Sequence, residues 1–186
     1  MRRSILALLT LLLLGSALAY AQENSFAIRD VRLFDGSVAV SRVNVLVRGG
    51  RIEAVGRGVI IPAGVRTFDG RGRTLLPGLI DSHTHVFPGA RADALRFGVT
   101  TVLDMFDISR DFKLWRAQRA SLAPTREADV WAAGLGVTVK GGAPLQDLPP
   151  GMMLPTLADA ADARQFVNAR VAEGSDYIKL FKRSAR

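Results

Sequence analysis

Leu75 to Val86, LLPGLIDSHTHV, is an apolar run that opens around a Pro-Gly pair and closes on His83-Thr84-His85. The apolar start predicts a buried strand. Successive side chains of a strand alternate between faces, so His83 and His85 point the same way, roughly 6.6 Å apart along the strand. Asp81 shares their face and reads as a residue supporting the ligands or touching substrate. Two imidazoles at that spacing can chelate one divalent ion of the zinc type. They are the only histidines in the sequence, which also has no cysteine. A metal here must be held by nitrogen and oxygen ligands, and neither a disulfide framework nor a thiolate site can form.

Downstream, strands alternate with helices. Residues 90–97 are helical in period, with Gly98 placed to end that helix. VTTVLDM, residues 99–105, predicts a second strand, residues 112–122 a helix, and residues 130–139 a third strand. A Gly/Pro-rich loop follows over residues 141–155. Residues 157–171 predict an amphipathic helix ending near Gly174, and residues 177–181 a fourth strand. Such alternation argues for βαβ units and a parallel sheet. Asp104, at the end of the second strand, reads either as support for the metal ligands or as a helix cap. Lys179, in DYIKLF, lies in the fourth strand, near the strand ends where barrel enzymes gather active-site groups.

Upstream, residues 22–74 read as β. Phe26 to Phe34 and Val43 to Val47 alternate apolar and polar residues, and Gly49-Gly50 turns the chain into a partner strand over residues 51–55. We expect a small β-sandwich-like module there. Before it, Arg2 and Arg3 precede an apolar stretch from Ile5 to Leu14 and small residues at Ala17, Ala19 and Ala21. This is the pattern of a cleaved signal peptide over residues 1–21, so the mature chain is expected to be exported, periplasmic or secreted, without a stable membrane anchor. The formal net charge of +8 becomes +6 after cleavage. It is spread as single arginines with no aromatic interleaving, a poor footprint for nucleic acid.

LLPGLIDSHTHV resembles the first barrel strand of the amidohydrolase superfamily, whose members carry a His-x-His pair there. VNVLVRGGRIEAVG and TFDGRGRTLLPG resemble that family's N-terminal β module, and FGVTTVLDM its second barrel strand. GSDYIKLF resembles the prolidase-like secreted members. The resemblance implies a (β/α)8 TIM-type barrel, one or two divalent metals such as zinc, and hydrolysis of a C–N bond in a small amide, cyclic amide or dipeptide-like substrate by a metal-bound hydroxide. It also implies that Lys179, carboxylated, bridges two metals, with His83 and His85 holding the first.

The sequence departs from that family in one respect. Full members draw two further histidines and an aspartate from the fifth, sixth and eighth strands, and no histidine follows His85. Residues 75–186 number 112, against the roughly 250 of a closed barrel. The fold expected is the first half of a barrel, about four of eight strands, behind a β module. Two readings follow: the N-terminal portion of a metal-dependent hydrolase, inactive alone, or a non-catalytic metal- or ligand-binding remnant, including a half-barrel that dimerises. Substrate, metal and oligomeric state stay open.

Overall fold

The computed structural model describes residues 25–108 and 111–182. The signal peptide expected over residues 1–21, and Arg183 and Arg186, which read as plain surface residues, lie outside the described residues. The chain divides into two compact units. One runs to Pro77 and takes in Leu122–Pro124; the other comprises Gly78–Ser121 and Thr125 onward.

The first unit is built on β1 (Phe26–Phe34), β2 (Ala39–Arg48), β3 (Arg51–Gly56), β4 (Arg66–Asp69) and β5 (Thr74–Leu75). These form one sheet in the order β3-β2-β1-β4, with β5 pairing β1 farther along. Among the described residues the module is thus a single five-stranded sheet, where two facing sheets of a sandwich were expected. The period-two pattern decides its inner face: Val31, Val43, Val45 and Val47 bury together, with Leu33 and Leu75 packed against them. Gly70 lets β4 turn back under β1. A Cβ there would lie 2.5 Å from the Val31 Cβ, so only glycine fits.

The second unit begins with three parallel strands, β6 (Leu79–Thr84), β7 (Val99–Asp104) and β8 (Asp129–Ala132), in the order β6-β7-β8. Helix α1 (Ala90–Arg96) packs on β7 and α2 (Phe112–Ala120) on β8. Val102, Phe112, Trp115, Val130 and Ala132 form its core. The Pro77-Gly78 lead-in has a steric reason: a Cβ on Gly78 would sit 2.0 Å from the Thr100 hydroxyl. Among the described residues, no helix is long and apolar enough to cross a membrane.

Four expectations change here. The strand expected to be buried, β6, is exposed along most of its length, with Leu79 at 55% and Ile80 at 64% exposure. Among the described residues it pairs only with β7 and is a sheet edge. The third strand breaks after Ala132 because Gly134 takes a left-handed φ of +68°. The next strand along is β9 (Thr138–Val139), which pairs with β10 (Thr156–Leu157). Leu157 therefore belongs to a strand, and the last helix, α3 (Ala160–Glu173), starts later. Its N-cap Asp159 accepts the amides of Ala161 and Asp162, and Gly174 ends it.

The fourth strand is reduced to one parallel bridge, Val137 to Leu180. Val137 N–H donates to the Lys179 carbonyl at 3.1 Å, and Phe181 N–H donates to the Val137 carbonyl at 2.9 Å. The segment's start is instead fixed by side chains. Asp176 accepts the Ala132 N–H at 3.0 Å and pairs with Arg119 at 2.8 Å.

Candidate metal centre

The C-terminal ends of the parallel strands bring the predicted residues to one end of the sheet. His83 is on β6, and His85 lies just beyond it. Their ring centroids are 6.1 Å apart, and both side chains are exposed. Asp81, expected to support the pair or contact substrate, is bonded to the backbone of the first histidine. Its carboxylate accepts the His83 backbone N–H at 3.0 Å, a bond that caps a donor on the open edge of β6.

Asp104 ends β7 and is fully buried. One carboxylate oxygen accepts the Phe106 N–H at 2.9 Å and the other the Val86 N–H at 3.1 Å. A single side chain thus ties the loop after β6 to the loop after β7. The carboxylate also lies 3.8 Å from His85 Nδ1, too far for a hydrogen bond. Burial pushes the Asp104 carboxyl above its ordinary range, against the two amide bonds and the His85 ring, which pull it down. It caps no helix: the residue ahead of α2 is Asp111.

Sequence reading missed two residues here. Phe106 stands 6.4 Å from His85, and Phe181 stands 6.4 Å from Phe106. Lys179 Nζ lies 5.1 Å over the Phe181 ring. A row of rings therefore runs from the histidine pair to the half-buried Lys179. No hydrogen bond or ion pair joins Lys179 to either histidine. Tyr177 braces the same end from behind, donating its hydroxyl toward the carbonyls of Asp104 and Trp131, each at 2.9 Å. Burial, then the charges of Asp104 and Asp176, push its phenol far above the ordinary value.

Two exposed imidazoles at one strand end match the donor chemistry of a divalent ion. Among the described residues, no group of three or more His, Asp or Glu side chains could hold one. The fit therefore extends to a ligand pair and no further within these residues.

No protein-family model matches the chain. Over 56 residues it is 39% identical to a dihydroorotase of Geobacter metallireducens, a stretch covering 30% of this chain and 13% of that protein. Over 54 residues it is 50% identical to an imidazolonepropionase of Klebsiella pneumoniae, covering 28% and 13%. Among solved structures, a Xaa-Pro dipeptidase with methionine bound in its active site matches with a TM-score of 0.62 at 22% identity, over 84% of this chain and 46% of the other. The resemblance to amidohydrolases is thus shared by sequence relatives and by structural neighbours that include amidohydrolases and prolidases, all at partial coverage. The fold is mixed α/β, and it is shared over 84% of this chain with a second solved structure, an amidohydrolase, at a TM-score of 0.65 and 23% identity. The chain itself spans less than half of the solved structure and a small fraction of the relatives.

Proposed function

We propose that this chain carries the first-strand metal pair of an exported hydrolase acting on C–N bonds in small amide, cyclic amide or dipeptide-like substrates. One observation carries the reading. The only two histidines in the sequence sit together at the C-terminal end of a parallel strand, the end at which barrel enzymes place their chemistry. The relatives named dihydroorotase and imidazolonepropionase support the reaction class.

His83 and His85 would hold the ion, and Asp104 would keep the loops carrying and facing them in register. A divalent ion of the zinc type, when bound, lowers the pKa of a coordinated water toward neutrality and polarises a carbonyl. Lys179 would contribute as a carbamate, formed when its neutral Nζ attacks carbon dioxide and loses a proton. That turns a cationic side chain into an anionic oxygen donor. Water activation would also need further ligands and a general base, and among the described residues no group of three or more His, Asp or Glu supplies them.

The full chain titrated with zinc should take up about one equivalent, consistent with a single two-imidazole site. His83→Ala with His85→Ala should abolish that uptake, and unchanged uptake in the double variant would remove the reading. Export rests on the leader, and mass spectrometry of protein recovered outside the cytoplasm should find an N-terminus at Gln22 or Tyr20. Intact Met1 in a membrane fraction would instead mark an anchor.

A further inference from the structure

Away from the histidines, the first unit gathers arginines that are far apart in sequence. Arg42 on β2, Arg32 on β1 and Arg73 just before β5 fall side by side across the sheet. The pairs Val31–Val43 and Arg32–Thr74 set that register, and the Arg32 N–H donates to the Arg73 carbonyl. Val31 and Val43 are buried, whereas Arg32, Arg42 and Arg73 are all exposed. With Asp30 and Arg71 they line an open groove of about 480 Å³.

Arg71 is already neutralised by Asp69 at 2.6 Å. The side chains of Arg32, Arg42 and Arg73 have no ion-pair or hydrogen-bond partner among the described residues. Like charges on laterally adjacent strands repel, so this row costs stability in the free protein.

A second feature converges on the same groove. The described residues include two non-glycine positions with positive φ, Asp30 at +54° and Arg42 at +59°. Both line it. They flank the Val31–Val43 pair, where the β1–β2 register slips. Irregularities of this kind re-aim side chains, and left-handed backbone at non-glycine residues concentrates at functional sites.

We propose that this groove binds a soluble ligand bearing two or more phosphate groups, held by Arg42, Arg32 and Arg73. Planar guanidiniums grip phosphate oxygens two at a time. Three of them in line suit linked phosphates better than one. The site is independent of the metal pair, so it stands or falls separately from the hydrolase reading.

Calorimetry on the full chain at about 0.15 M salt, where surface attraction is screened, should show saturable binding of inorganic pyrophosphate. Orthophosphate should bind at least about tenfold more weakly. Arg32→Gln with Arg73→Gln should weaken pyrophosphate binding by about tenfold or more, whereas Arg96→Gln, in the other unit, should leave it unchanged. Asp30→Asn should tighten binding, a gain that misfolding cannot produce. The proposal is overturned by absent binding at that salt or by equal losses in the Arg96 variant. It is also overturned by capture on phosphatidylglycerol vesicles that pyrophosphate does not compete away.

Discussion

β2 and β6 are both apolar strands, and they meet opposite fates. In β2, Val43, Val45 and Val47 turn inward against β1 and are sealed, with Val45 at 1% exposure. In β6, Leu79 and Ile80 are at least as hydrophobic but stay more than half exposed. The difference is not composition but partners. β2 has a strand on each side, whereas among the described residues β6 pairs only with β7. Hydrophobic sequence sets what a strand can bury; the neighbours decide whether it does. An open apolar edge is also a template for pairing with another chain.

The largest expected effect tests the open side of this comparison. The 186-residue chain expressed alone should show no metal-dependent amidase or dipeptidase activity above background, because two imidazoles leave an ion without the ligands and base that water activation requires. Turnover by a soluble monomer, lost on chelation and restored by metal, would mean that the exposed strands complete a site after all.

The next effect compares the two strands directly. Val45→Ala removes two methyl groups from a sealed core and should lower unfolding free energy by about 2 kcal/mol. Ile80→Ala, at an exposed position, should cost less than about 0.5 kcal/mol. Denaturant midpoints of the two variants give the contrast. Equal losses would show that β6 is covered in solution, and sedimentation would then reveal whether a second copy covers it.

Tyr177→Phe is smaller but sharper. It removes a donor from two carbonyls at the ends of β7 and β8 and should cost about 1 kcal/mol. The phenol's pKa is raised in the fold, so the folded state favours the neutral form. Its contribution is full below the unfolded value near 10 and is lost as pH rises above that. Alkaline unfolding should therefore be steeper in the parent than in the Phe variant, and superimposable curves would show that the hydroxyl is not held as described.

The histidine pair, the parallel order of the first three strands and the hairpin at Gly49-Gly50 were legible in sequence because each rests on local spacing. What was not legible depends on distant residues. Phe106 joins the histidines only because Asp104 straps its loop to the one after β6. The fourth strand failed because Asp176 and Tyr177 anchor its start by side chain, leaving one backbone bridge. Face alternation put Asp81 beside the histidines as a supporting or substrate-contacting residue, but did not show the bond its carboxylate accepts from the His83 backbone N–H. The arginines looked scattered because a sheet joins strands laterally, and residues 32, 42 and 73 become neighbours only across it.

The smallest expected effect concerns the sealed unit. Asp69 accepts the Arg71 N–H at 3.1 Å and pairs with its guanidinium, and together with the charge of Arg73 this holds its carboxyl down at about 2. A depressed folded value means that the charged form is the favoured one. The contribution is complete above the unfolded carboxylate range and disappears as pH falls through about 2. Asp69 is exposed, so water and salt screen the pair, and the effect should be visible only as a slope. Asp69→Asn should leave the neutral-pH midpoint nearly unchanged and flatten the acid limb between the ordinary carboxylate range and about pH 2. Raising the salt should bring parent and variant curves together. If the two acid limbs coincide at low salt, the Asp69–Arg71 turn is not held in solution. Arg71 would then be a fourth free guanidinium, and the groove beside it would attract anions more strongly than three unpaired arginines allow.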